Sequence, residues 1–130
     1  MSTLSACLQN LDEAGICQLN CGADELRDAV HEAGFVWFDA NLAKVHSKAE
    51  LLAVIAEAVH APDWFGANWD ALADTLGDLS WSPSSGYVLL LRNVKDILGQ
   101  NDDSDAFTET LADTIAFWKL EGKPFWVFFC

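Results

Sequence analysis

Apolar residues fall into short continuous runs and helical repeats that alternate along the chain. Three nearly continuous runs, at residues 35–39, 87–91 and 125–129, predict buried strands. A weaker run at 15–20 predicts one more strand near the N-terminus. Strands that are apolar on both faces and are separated by helical segments favour a parallel sheet in an α/β domain.

Between these runs, apolar residues recur at the spacing of amphipathic helices. Ser47 and Glu50 form a capping-box pair that predicts a helix start, and that helix should end before Pro62. Gly34 and Gly122 stand where two other helices are expected to end. The predicted core faces of the four helices are Leu26, Ala29, Val30 and Ala33; Leu51, Leu52, Val54, Ile55, Ala58 and Val59; Trp69, Leu72, Ala73, Leu76 and Leu79; and Phe107, Leu111, Ile115 and Trp118.

Length and composition indicate a globular protein. The chain has 130 residues, of which 52% are hydrophobic, and this is too apolar for a disordered acidic tail. No apolar run approaches the roughly 20 residues of a membrane helix. Asp12 and Glu13 interrupt the N-terminus before a signal peptide could form, so we expect a cytoplasmic protein that does not bind membranes.

The cysteines and histidines do not point to a metal site or to a disulfide framework. Cys17 and Cys21 are not followed by a second pair of ligands at zinc spacing. The histidines, His31, His46 and His60, lie far apart in the sequence. We therefore expect reduced thiols, no metal and no cofactor.

Acidic residues greatly outnumber basic ones. The chain has 20 Asp plus Glu against 7 Lys plus Arg, a formal net charge of -13, which disfavours direct nucleic-acid binding and suits a basic partner. No Lys or Arg occurs between Lys48 and Arg92. Within that window, Asp70, Asp74 and Asp78 follow at four-residue spacing and form one helical ridge. This ridge suggests an external cation, although the solvated face of an amphipathic helix has the same pattern.

The loop before the acidic ridge adds a second signal. Trp64 and Phe65 are two large aromatic residues beside Gly66, in a segment that follows Pro62. Loops lie at the surface, and an aromatic anchor beside charges is typical of the centre of a protein interface. Either ring could instead cover the core.

Residues 62–74 read PDWFGANWDALAD. This run resembles the barstar family of ribonuclease inhibitors, whose pattern is Pro, acidic, two aromatics, Gly, any residue, Asn, large apolar, Asp, Ala, Leu, any residue, Asp. The likeness extends from about Phe35 to Phe129. It implies a barstar-like α/β fold with a three-stranded parallel sheet packed with helices. The whole chain, 1–130, would then be one domain, with a matching core at 35–130 and an N-terminal extension at 1–34 that adds a strand and a helix.

The resemblance implies an inhibitor that blocks the active site of a basic, extracellular-type ribonuclease of the barnase kind and is monomeric when free. Asp74 would contact the arginines and histidine that hold the substrate phosphate, with Asp70 one turn earlier. Trp64 would stack on the enzyme. The other partner-binding residues that the resemblance implies are Phe65, Gly66, Asn68 and Glu121.

Two positions depart from the family pattern. Gly77 stands where the family often has a hydroxyl residue, and Phe117 stands where an acidic residue of the last helix contributes to the interface. If Phe117 lies beside Asp70 and Asp74, the partner should present an apolar or neutral patch there. Alternatively, Phe117 has no role in binding and only packs the side of the last helix against the N-terminal extension.

Two other classes of function stay open. In an enzyme, Asp70 and Asp74 would act as paired carboxylates with His60 as a base, but the chain has no P-loop and no Gly-x-Ser-x-Gly motif. The other alternative is an acidic interaction module, either a scaffold or a decoy that mimics nucleic acid, without nuclease inhibition.

Overall fold

The structure, a computed structural model, describes residues 8–18, 22–45, 47–61, 69–79, 83–93 and 102–129. The strands are β1 (Ile16–Gln18), β2 (Val36–Asn41), β3 (Tyr87–Arg92) and β4 (Phe125–Phe129). The α-helices are α1 (Ala23–Ala33), α2 (Lys48–Ala58), α3 (Trp69–Asp78) and α4 (Asp102–Leu120), and a short 3₁₀ helix, Leu11–Glu13, precedes β1.

The four strands form one parallel sheet in the order β1-β4-β3-β2. This confirms the α/β class and the parallel arrangement. The extra N-terminal strand expected at 15–20 is present as the shorter β1, which pairs with β4 at the edge of the three-stranded sheet and places Ile16 opposite Val127. The extension is therefore part of the same sheet.

Each face of the sheet carries its own core. Helices α2, α3 and α4 cover one face, where they pack against strand residues such as Phe38, Leu89 and Val127. Helix α1 and the residues before it cover the other face. Successive strand residues point to opposite faces, so the apolar strands need both layers. The side chains in the second core are Leu8, Ala14, Leu26, Ala29, Val30, Val88, Leu90, Trp126 and Phe128.

The N-terminal extension is also tied to the sheet by hydrogen bonds. The indole Nε1 of Trp126 donates to the carbonyl of Leu8 at 2.8 Å. Helix α1 ends as predicted at Gly34, whose φ of 79° places it in the left-handed region that glycine adopts at low cost. The extension thus closes the second face of the sheet.

Helix α3, which carries the acidic ridge, is held to the core by buried leucines and by a hydrogen bond from α4. Leu72 and Leu76 are fully buried, and the indole Nε1 of Trp118 donates to the Leu76 carbonyl at 2.8 Å. The prediction that Ala73 faces the core is wrong, because this residue is exposed. Each helical residue turns about 100° from the previous one, so Ala73 points to the side of α3 once Leu72 points to the core.

Candidate protein-binding surface

Helix α3 presents its carboxylates on the side away from the core. Asp70, Asp74 and Asp78 are exposed, whereas Leu72 and Leu76 are buried beneath them. This confirms the predicted ridge. The last turn of α3 contains no basic residue that would offset the charge.

The two basic residues that border the acidic window make other contacts. Arg92 binds Asp39 through two hydrogen bonds, from Nε at 2.9 Å and from Nη2 at 2.8 Å. The Lys48 ammonium lies 5.8 Å from the centroid of the Trp69 ring, within range of a cation–π contact. Among the residues that the structure describes, neither Asp70 nor Asp74 forms an ion pair. Asp70 and Asp74 are therefore available to a cationic partner.

A groove of about 300 Å³ runs between α3 and α4, beside the acidic ridge. One side is formed by α3 and the other by α4, and Phe117 is 42% exposed at its edge. A Cβ atom built at Gly77 would lie 3.9 Å from two carbon atoms of the Phe117 ring. The groove is lined by Ala73, Asp74, Gly77, Asp113, Thr114 and Phe117.

The position of Phe117 distinguishes the two interpretations of this residue. Its ring makes an edge-on contact with Trp118, with centroids 5.3 Å apart, and shares the groove with Asp74. Helix α1 lies on the opposite face of the sheet. Phe117 therefore lies beside the acidic ridge, on the face of the sheet away from helix α1 of the N-terminal extension.

Asp113 is a groove residue that the sequence reasoning missed. It is exposed and precedes Phe117 by one helical turn. A signal was present, because Asp113, Phe117 and Glu121 follow at four-residue spacing and so share one ridge of α4. Position 117 carries no carboxylate, but Asp113 provides one on the same ridge of α4.

The structure locates three of the predicted partner-binding residues. Asp70 lies in the first turn of α3, and Asp74 lines the groove. Glu121 is exposed just beyond the end of α4, where its N–H donates to the Phe117 carbonyl at 3.2 Å, and it does not line the groove. The other predicted residues, Trp64, Phe65, Gly66 and Asn68, lie outside the described residues.

The structure does not bring His60 into the groove that Asp74 lines. His60 borders a different groove, beside β2 and α2, together with Asp39 and Glu57.

Within the described ranges, no group of three His, Cys, Asp or Glu side chains is placed to hold a metal ion. No helix in the described part of the chain is both long and apolar enough to cross a membrane.

Comparison with known proteins identifies the family. No curated protein matches the chain. Residues 35–130 match the family described as Barstar (barnase inhibitor). The matched span covers β2 to β4 together with the three helices on one face of the sheet, and leaves β1 and α1 outside it. The chain therefore belongs to the barstar family and carries an N-terminal extension before the matching region.

Proposed function

We propose that this protein is an inhibitor that binds and blocks the active site of a basic ribonuclease of the barnase kind. The family description supports this function, since it names barnase inhibition. The observation that carries the proposal is the pair of exposed carboxylates on α3, Asp70 and Asp74, which form no ion pair within the described residues. Such an inhibitor would act in the cytoplasm of the cell that makes the nuclease.

The chemistry of a ribonuclease active site explains why carboxylates can block it. A site that holds an RNA phosphate presents charge-assisted donors, and a carboxylate accepts the same forked hydrogen bonds from arginine. Asp74 would take the position of the phosphate, and Asp70 would bind one turn earlier. Trp64 would stack on the enzyme, Phe65, Gly66 and Asn68 would shape the loop, and Glu121 would add a charge at the edge.

Overall charge supports the same partner. A chain with a net charge of -13 attracts a basic protein over a distance, and such steering raises the association rate at low salt. We expect the association rate constant with a basic ribonuclease to fall steeply as ionic strength rises. A rate constant insensitive to salt would argue against binding through this face.

The direct test is a titration of the pure full-length protein into RNA-cleavage assays of barnase and other small basic ribonucleases. We expect stoichiometric, reversible inhibition of at least one enzyme, and loss of inhibition in the double variant Asp70→Asn, Asp74→Asn. A matched control is Asp24→Asn, Asp28→Asn, which removes the same charge at the same spacing from an exposed ridge of α1. This control should inhibit like the unmodified protein.

Two results would overturn the proposal. One is failure to inhibit any ribonuclease of the panel. The other is equal loss of inhibition in the α3 variant and in the α1 control, which would indicate only diffuse electrostatics. Capture of DNA-binding proteins in place of a ribonuclease would favour the acidic decoy.

A further inference from the structure

The groove between α3 and α4 combines an apolar surface with an anionic rim. Ala73, Gly77 and the Phe117 ring form the apolar part, and two acidic residues, Asp74 and Asp113, also line the groove. A side chain that suits both parts has a hydrocarbon stem and a cationic head. Only arginine and lysine have this structure, since both bury their stem along apolar surface while the head stays polar.

We propose that this groove binds one arginine side chain of the partner, with the guanidinium held by Asp74 and Asp113 and its flat face on the Phe117 ring. The identity of the partner as a ribonuclease rests on the proposed function. The preference of the groove for arginine rests only on its own residues.

Arginine fits this arrangement better than lysine. Its guanidinium is planar and weakly hydrated, stacks on aromatic faces and donates a fork of hydrogen bonds to carboxylates. The ring of Phe117 is 42% exposed, so part of it is free to receive such a cation. A groove of about 300 Å³ lies at the lower limit of ligand pockets, which matches one side chain.

Gly77 keeps the groove open. A Cβ atom at this position would already be in van der Waals contact with the Phe117 ring at 3.9 Å. Any side chain that extends beyond Cβ would therefore compete with the guest for space in the groove. The absence of a side chain at 77 and the aromatic ring at 117 together create the binding surface.

Asp113 changes the kind of partner group expected opposite Phe117. With Phe117 considered by itself, an apolar or neutral patch on the partner is expected. Asp113 lies one turn earlier on the same ridge and lines the same groove, so a carboxylate is present beside the ring. The complementary group is therefore a base.

The inference can be tested without any nuclease. Uniformly ¹⁵N-labelled full-length protein is titrated with N-acetyl-arginine amide and, separately, with N-acetyl-lysine amide. We expect saturable shifts at the backbone amides of Gly77 and Phe117. Arginine should bind severalfold more tightly than lysine, because only the planar guanidinium can stack on the ring and also donate a fork of hydrogen bonds. Equal affinity for both ligands, or no shift at Gly77, would overturn the proposal.

Three variants identify the groups involved. Asp113→Asn should weaken arginine binding severalfold, and Phe117→Leu should remove the preference for arginine over lysine. Asp28→Asn removes the same charge from an exposed site on α1 and should change neither. Thermal unfolding of each variant checks that it is folded. If Asp28→Asn weakens binding as much as Asp113→Asn, the ligand responds to net charge and the groove site is wrong.

The complex with a ribonuclease separates this inference from the proposed function. If a ribonuclease is inhibited but Asp113→Asn and Phe117→Leu leave its affinity unchanged, the groove is not used and this inference fails while the proposed function holds. If no ribonuclease is inhibited but arginine still binds selectively in the groove, the proposed function fails and the arginine site stands.

Discussion

The Phe117 ring lies directly beside Gly77, so that a Cβ atom at position 77 would be 3.9 Å from its Cδ2 and Cε2 atoms. The resemblance implies other side chains at both positions, and the structure places Gly77 of α3 next to Phe117 of α4. An aromatic ring on α4 is accommodated next to a residue of α3 that has no side chain. A side chain larger than alanine at position 77 would therefore meet the Phe117 ring.

Gly77→Ala should stabilise the protein. Gly77 is inside α3, where glycine costs about 0.5–1 kcal/mol relative to alanine, and an added methyl would meet the Phe117 ring at an ordinary contact distance. Urea denaturation should show a gain of that size in the free energy of unfolding. As a control, Gly122→Ala should destabilise the protein, because Gly122 has a φ of 78°. A loss of stability in Gly77→Ala would mean that the two helices cannot adjust to the methyl group.

The aspartates of α3 should contribute unequally to ribonuclease binding. Asp74→Ala should weaken inhibition most and Asp70→Ala next, whereas Asp78→Ala should have little effect because it lies beyond the family motif. Charged interface hot spots, of which the barnase–barstar pair is a known example, cost about 2 kcal/mol or more when truncated. Inhibition constants measure the three effects, and equal losses would indicate a diffuse charged patch.

Phe117→Glu should favour barnase. This change restores the acidic residue that the family resemblance implies at the interface, and an added edge charge chiefly raises the association rate. We expect the unmodified protein to bind barnase more weakly than it binds its natural ribonuclease partner. Phe117→Glu should reduce this difference in affinity by strengthening the binding of barnase. The test is to measure the affinities of the unmodified protein and of the variant for each of the two ribonucleases. A variant that loses stability without changing the affinity ratio would contradict it.

Thr75→Val should stabilise the protein. Thr75 is fully buried in α3, and its hydroxyl has no hydrogen-bond partner within the described residues. A buried polar group without a partner costs about 1–3 kcal/mol, and valine has nearly the same shape. Chemical denaturation should show a gain in stability. The matched control is Thr114→Val, which should give no such gain because the Thr114 hydroxyl donates to the Thr110 carbonyl at 2.9 Å.

Stability should decrease in alkaline solution because of Tyr87. Burial raises the pKa of Tyr87 above its ordinary value of 10.0, although a backbone hydrogen bond with Ser84 partly opposes the shift. As the pH rises, the Tyr87 hydroxyl loses its proton in the unfolded chain before it does so in the folded protein. The contribution of the protonated Tyr87 to the free energy of unfolding is therefore complete below pH 10.0 and is lost as the pH rises through the folded-state pKa. Tyr87 is the only tyrosine, so tyrosinate absorbance reports its titration directly. In Tyr87→Phe, this part of the pH dependence should disappear.

Local patterns were sufficient to predict most of the elements. Continuous apolar runs indicated strands buried on both faces, and the structure confirms a parallel sheet covered on both sides. The Ser47 cap is also confirmed, since its Oγ accepts a hydrogen bond from the Glu50 N–H at 3.2 Å. Helix α1 ends at Gly34 as predicted. These features depend on residues close together in the chain, so periodicity and capping chemistry reveal them.

The groove and the role of the N-terminal extension depended on long-range packing. Periodicity places Asp74 and Phe117 on particular faces of their own helices, but it does not show which helices pack together or how each is rotated. The hydrogen bond from Trp118 to Leu76 and the buried leucines of α3 set that rotation, and this turns Ala73 and Gly77 toward α4. In the same way, only the assembled sheet shows that α1 covers Val88 and Trp126, because contacts between distant segments form only when the whole chain packs.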